Sequence, residues 1–323
     1  MTTVNRIWHC LFPDCGYASF IMAFINTFSK YYREKYQGPV GKIALDAGFV
    51  CPNREKGGCI YCAAQSFTPF YLKKDDDIAT QLEKGRAYLK SKKFAKYFSY
   101  FQQETTTAAP LAELAPMFTL AASGPDCIGL IVSTRPDYVK EDVLDTLAEI
   151  SASDSEHKEI LIELGLQSAH DRTLELLNRN HTFDDFAETA ARVKKRSEME
   201  LGVHLILGLP GEELDDMMET IHRVVDLGVD YIKLHHLQII RGTPLLALYN
   251  REPFKVYGPG EYLELLVELL GHIPKRIVLH RLWSTADPDL LYLPRWDMFS
   301  YELNTHLACI MDERNIDQGR FVD

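Results

Sequence analysis

Glu159-Ile160-Leu161-Ile162-Glu163-Leu164-Gly165-Leu166-Gln167, followed downstream by Gly202-Val203-His204-Leu205-Ile206-Leu207, is the stretch that decides the fold. Each run reads as an apolar strand. Between them Phe183, Phe186, Ala187, Ala190 and Val193 recur at i, i+3, i+4, i+7 and i+10, a helical stripe with Thr182 placed to cap it. Strand, helix and strand with no hairpin turn make a crossover unit, the connection that parallel neighbours require.

The alternation extends both ways. Upstream, residues 42–46, 96–101 and 127–132 read as strands and 75–93 as a polar helix. Val143, Leu144, Leu147 and Ile150 form a helical stripe, with Asp137 after Pro136 its expected N-cap. Downstream come a stripe of Leu214, Met217, Met218, Ile221, Val224 and Val225, a strand over 229–237, an apolar helix over 262–270 and a last strand over 276–279. About six units predict an α/β fold, a partial (β/α)6-type parallel barrel, with strands apolar on both faces. Residues 41–282 form the expected core. Residues 1–40 and 283–323 are read as an N-terminal and a helical C-terminal extension.

The chain has 323 residues, 35 Lys and Arg against 46 Asp and Glu, and a formal charge of −11. That balance argues against a wholesale nucleic-acid or anionic-membrane binder. With 46% hydrophobic and 25% charged residues the chain is globular. No apolar run reaches membrane-spanning length, and the apolar stretch 17–28 lacks a signal-type basic region. Seven cysteines make a disulfide framework unexpected, so a cytoplasmic protein with reduced thiols is expected.

Chemistry concentrates in Cys51-Pro52-Asn53-Arg54-Glu55-Lys56-Gly57-Gly58-Cys59-Ile60-Tyr61-Cys62. Thiolates this crowded repel one another unless a metal neutralises them. Three readings compete. A [4Fe–4S] cube on three thiolates leaves one iron open for a ligand. Zinc wants four ligands, and only His9, Cys10 or Cys15 could complete its set by folding back. The plain alternative is that Cys59 and Cys62 are a small buried pair. The cluster reading is preferred; the zinc reading would make this a structural or nucleic-acid-binding protein. Cys127 and Cys309 read as core and helix residues.

A C-x2-C ending with an aromatic before the last cysteine, just after the first strand, resembles the radical S-adenosylmethionine (radical SAM) superfamily. The wider gap between the first two cysteines resembles the branch that contains the Elongator catalytic subunit, and within it the bacterial YhcC-type subgroup. Leu45-Asp46-Ala47-Gly48-Phe49, Ser133-Thr134-Arg135-Pro136-Asp137, Asn178-Arg179-Asn180-His181 and Gly208-Leu209-Pro210-Gly211-Glu212 carry this resemblance in order. Asn180 stands where the pattern expects glycine. The resemblance implies Cys51, Cys59 and Cys62 as cluster ligands and S-adenosylmethionine as second cofactor. It also implies reductive cleavage of that molecule to a 5′-deoxyadenosyl radical, and an electron donor such as flavodoxin or ferredoxin.

Candidate cofactor contacts follow at the strand ends, where barrels place their ligands. Phe101 and Gln102 offer a carbonyl and a polar side chain to an ammonium group. Arg135 and Gln167 each end a strand. Arg179 is a candidate bidentate partner of a carboxylate, His204 sits within an apolar strand, and Gly208 begins a turn open to a flat ligand. Lys233, His235, His236, His280 and Arg281 are candidates for a substrate mouth. Glu163, expensive to bury unpaired, should face a cation or a ligand. Elongator-like relatives act on transfer RNA, yet the basic groups here, Lys90, Lys92, Lys93 and Lys96 and Arg192, Lys194, Lys195 and Arg196, read as solvated helix faces. The chain also ends soon after the barrel, without the acetyltransferase domain of the Elongator subunit. A small-molecule or protein-borne substrate is therefore expected ahead of tRNA.

Overall fold

A computed structural model describes residues 24–63, 71–73, 75–153 and 157–322; His9, Cys10 and Cys15 lie outside the described residues. Seven strands form one parallel sheet curved into a half-barrel: β1 (Val40–Leu45), β2 (Lys96–Phe101), β3 (Cys127–Thr134), β4 (Glu159–Gln167), β5 (Met199–Leu207), β6 (Tyr231–His236) and β8 (Val278–Arg281), neighbours in that order. Ahead of β1 comes α1 (Phe28–Tyr36). The crossovers carry α2 (Ile78–Ser91), α3 (Leu111–Ala122), α4 (Glu141–Ala152), α5 (Asp171–Leu176), α6 (Phe183–Lys194), α7 (Leu214–Asp226), α8 (Pro244–Arg251) and α9 (Pro259–Gly271). An antiparallel pair, β7 (Ile239–Ile240) and β9 (Leu291–Leu293), and a last helix α10 (Ser300–Arg314) complete it. No helix among the described residues is long and apolar enough to cross a membrane.

β4 shows why the sequence folds this way. Ile160, Ile162, Leu164 and Leu166 point to the helices and join the main core, while Leu161, Glu163, Gly165 and Gln167 point inward. α7 answers with Met217, Ile221 and Val224, and α6 is fixed at its start by a reciprocal Thr182–Asp185 capping box. Leu303, Leu307 and Met311 of α10 pack into the same core.

Two expectations need correction. The strands are not apolar on both faces, because the interior changes character along the strand direction. Its lower layer is apolar, with Ile131, Leu161, Tyr231 and Val278 packed against Phe28 and Tyr32 of α1. Above this lie Tyr100, Glu163, His204, Lys233 and His280, linked by hydrogen bonds, with Lys42 beside His280, and then an open cavity. Nor is Asp137 a helix cap. Its carboxylate accepts from Arg135 Nε and Nη2 at 3.0 and 2.9 Å inside a short 3-10 turn, and α4 starts after Lys140.

Candidate functional site

The C-terminal strand ends ring a cavity of about 270 Å³ whose walls include all three clustered cysteines. The loop bearing them leaves β1, makes a 3-10 turn over Pro52–Lys56 and reverses at Gly57 (φ 92°) and Gly58 (φ 72°), a backbone that glycine adopts freely. The segment after α5 clamps it. Asn53 Nδ2 donates to the Asn178 carbonyl at 2.7 Å, and Asn178 Nδ2 donates back to the carbonyls of Lys56 and Gly58 at 2.9 and 2.7 Å. Asn180 Nδ2 reaches Asn53 Oδ1 at 2.7 Å. Asn178 and Asn180 both stand at φ 53°, which explains why glycine is the expected residue at 180 and why asparagine serves there. Ile60 N bonds to the Leu177 carbonyl at 3.1 Å and its carbonyl accepts from Leu245 N at 2.9 Å, pinning the loop from both sides.

Each sulfur has a donor. Thr105 Oγ1 lies 3.1 Å from Cys51 Sγ; Asn53 Nδ2 and Arg179 Nη1 lie 3.2 and 3.1 Å from Cys59 Sγ; Arg54 Nη2 lies 3.9 Å from Cys62 Sγ. Burial alone would push the Cys59 thiol up, but the Arg179 guanidinium and the Asn53 amide outweigh it and hold the thiol below its ordinary range. Cys62 goes the other way, to about 11, raised by burial and then by the neighbouring Cys59 charge. Thiolates with donors are stabilised, yet a second one beside the first needs a further cation. Among the described residues no three His, Cys, Asp or Glu side chains group as ligands of one ion.

Of the residues expected at the strand ends, Gln102, Arg135, Gln167, Arg179 and His204 line the cavity together with the cysteines. The Phe101 ring is not in the lining but buried in the core, edge-on to Phe118 at 5.2 Å, so the role expected of this residue is left to its backbone carbonyl. Gly208 lies outside the lining, at φ 82° with the Tyr257 ring 2.8 Å from where a Cβ would stand. Gln167 stands at φ 81° on a bulge where β4 slips against β5, and the bulge turns its side chain inward. Arg179 uses all three of its nitrogens and four of its five N–H donors. Besides Cys59 it donates to the Tyr61 hydroxyl at 3.2 Å, His181 Nε2 at 3.2 Å and the Gly165 carbonyl. Arg135, by contrast, has Nη1 buried with no hydrogen-bond partner.

Glu163 finds its cations. Its carboxylate accepts from Tyr100 at 2.8 Å, Ser133 at 2.9 Å, His204 Nε2 at 2.7 Å and His280 Nδ1 at 2.9 Å, with Lys233 Nζ at 3.5 Å. Burial opposes its charge, but Lys233 and His204 hold the carboxyl well below its usual range. His235, His236, Lys233 and Arg281 line the cavity as expected, whereas His280 lies beneath it against Tyr231. Glu104 and Thr105, which sequence reasoning missed, belong to the site. Glu104 accepts from Arg54 and from Cys51 N at 3.2 Å, and its polar position straight after a strand end was the available signal.

Comparison with known proteins gives a consistent picture. The family model described as Radical SAM superfamily matches residues 48–224, and the one described as Radical_SAM C-terminal domain matches residues 229–307. YtqA of Bacillus subtilis is 35% identical over 302 residues, 92% of either chain. YhcC of Escherichia coli K12 is 35% identical over 276 residues, 84% of this chain and 87% of its own. Among solved structures, archaeal Elp3 of Methanocaldococcus infernus, lacking its N-terminal residues 1–46, shares the fold with a TM-score of 0.66 at 17% identity. That match covers 86% of this chain and 64% of that one.

Proposed function

This chain belongs to the radical SAM superfamily, whose chemistry is S-adenosylmethionine-dependent and radical, and from that membership we propose that Cys51, Cys59 and Cys62 hold a [4Fe–4S] cluster beside bound S-adenosylmethionine. The observation that carries the reading is the set of three thiols on one cavity wall, each with a hydrogen-bond donor on its sulfur. The donor set fits the group. Cys62, raised to about 11 beside the Cys59 charge, ionises readily only against added positive charge, and a cluster supplies it. A mononuclear zinc site asks for four donors round one point, one more than the three thiols this loop brings to the cavity.

A cluster held there would pass one electron from an external donor to the sulfonium of S-adenosylmethionine, the chemistry that would give methionine and a 5′-deoxyadenosyl radical able to take hydrogen from a substrate. The protein's part is to bind, orient and exclude water. Arg135, whose Nη1 has no hydrogen-bond partner, is our candidate for the cofactor's carboxylate; Arg179, which donates to Cys59, is assigned chiefly to positioning a ligand thiolate. Gln102 and Gln167 offer amide groups at neighbouring strand ends. His204 holds Glu163, and burial, with Lys233 nearby, lowers its imidazole to about 4, so at neutral pH it acts as an uncharged wall.

The substrate we favour is a small or protein-borne molecule ahead of RNA. In one of the two basic groups that would draw phosphates, charges are neutralised locally: Lys194 pairs with Asp230 at 2.7 Å, and Arg196 with Glu141 at 2.9 Å and with Asp145. An electron donor of the flavodoxin or ferredoxin kind completes the proposal. Iron and sulfide analysis of anaerobically reconstituted protein tests the ligand set. Wild type should carry about four of each per chain, and Cys51→Ala, Cys59→Ala and Cys62→Ala should each lose most of it. Full wild-type content in Cys59→Ala would remove that residue from the set.

A further inference from the structure

Lys233 on β6 and Arg281 on β8 are direct partners in the parallel register, and both face the cavity. Like charges set opposite each other on one sheet face repel. Lys42 lies beneath them, its Nζ 3.3 Å from His280 Nδ1, and burial lowers its ammonium to about 7, so it adds at most part of a charge. Against Lys233 and Arg281 stands one carboxylate, Glu163, and its oxygens are already shared among Tyr100, Ser133, His204, His280 and Lys233. The other groups facing this corner, His204, His235 and His280, are held neutral by burial, so they do not relieve the imbalance. The Arg281 guanidinium makes no ion pair or hydrogen bond among the described residues, although it lies close enough to Lys42, Lys233, His204 and His235 to disfavour charge on each. Two cations on one cavity wall that share a single carboxylate are one counter-charge short, and an anion entering beside Arg281 supplies it.

We infer that this corner is the seat of an oxyanion, a carboxylate or phosphate group of the substrate, held between Arg281 and Lys233. The Arg281 fork is suited to two parallel hydrogen bonds with such a group, and Lys233 adds a point charge. Ser284 and Gln238, also in the lining, supply neutral hydrogen-bonding groups around it. The site stands on the edge strand opposite the one that delivers the cysteine loop, so the anion would anchor one end of the substrate while the rest extends toward the cysteines. That this anion belongs to the substrate rests on the radical SAM reading above; the existence of the site does not.

The test uses the full chain without iron or S-adenosylmethionine, so failure of the cluster assignment leaves it intact. Calorimetric titration with inorganic phosphate and, separately, with succinate is run at constant ionic strength set by chloride. Saturable binding of one or both is expected, and the tighter ligand tells a phosphate-bearing from a carboxylate-bearing substrate. Arg281→Gln should weaken that binding at least tenfold, while Arg281→Lys should retain part of it. Absence of saturable binding to the wild type, or undiminished binding in folded Arg281→Gln, would overturn the site. Should the Gln variant fold poorly, Arg281→Lys decides: affinity equal to the wild type for both anions would show that the fork does no binding, and counts against the proposal.

Discussion

Arg179 reaches the Cys59 sulfur from 3.1 Å and has three further donors tied to Tyr61, Gly165 and His181, so the guanidinium reads as a fixed charge built around one thiolate. In metal-free protein, Arg179→Ala should therefore raise the Cys59 thiol, leaving burial opposed only by Asn53 and the more distant Arg135. Alkylation of Cys59 at pH 7, followed by mass spectrometry, should slow by about tenfold or more, since one charge-assisted hydrogen bond is worth ~1.5–3 kcal/mol. An unchanged rate would mean that Asn53 suffices. At this scale the cysteines, Gln102, Arg135, Gln167 and His204 were legible because strand ends are where a barrel exposes polar groups. The division of labour between two arginines was not. Periodicity assigns a residue to a strand end, but whether a guanidinium meets a sulfur or remains open depends on tertiary neighbours distant in sequence, here Cys59 for Arg179 and Asp137 for Arg135.

Among the elements, β3 and β4 meet so closely at Gly129 that a Cβ there would stand 2.0 Å from the Glu159 carbonyl oxygen. Gly129→Ala should force the strands apart and lower unfolding free energy by about 2–3 kcal/mol, the usual cost of overpacking against an unyielding neighbour. Urea denaturation measures it, and a stability equal to wild type would contradict the packing at that strand end. The seven strands were readable because their helix-facing residues are mostly apolar, broken at points such as Ser99, which bonds to the Ala121 carbonyl. α3 was not read, since Pro116 interrupts its stripe; yet Leu114, Phe118, Ala121 and Ala122 bury one side of a helix around that proline. The charged interior layer was hidden for a related reason. Single polar residues such as His204 and Lys233, spaced singly on different strands, look like exceptions in an apolar run until the sheet curves and brings them together.

Across the whole molecule, burial keeps several histidines neutral: His181 and His204 are lowered to about 4, and His236 and His280 to about 3. Each has a folded-state value below its ordinary 6.5, so on acidification the unfolded chain takes up protons first. Stability should thus be intact above about pH 6.5 and fall as pH drops toward 4, by on the order of 1–2 kcal/mol per histidine at pH 5. Glu163, held low, acts in the same sense; Glu200 and Glu212, raised by burial, act in the opposite one but are outnumbered. Denaturant midpoints at pH 7 and pH 5 give the comparison, and equal stability would mean that these histidines are hydrated.

The central claim, that this fold holds a reducible cluster beside S-adenosylmethionine, is tested most directly by incubating anaerobically reconstituted protein with dithionite and S-adenosylmethionine and separating the products by chromatography. Wild type should form 5′-deoxyadenosine and methionine together, slowly in the absence of substrate, and the Cys59→Ala variant should form neither. S-adenosylhomocysteine as the sole product, or 5′-deoxyadenosine at the same rate from the variant, would contradict the account.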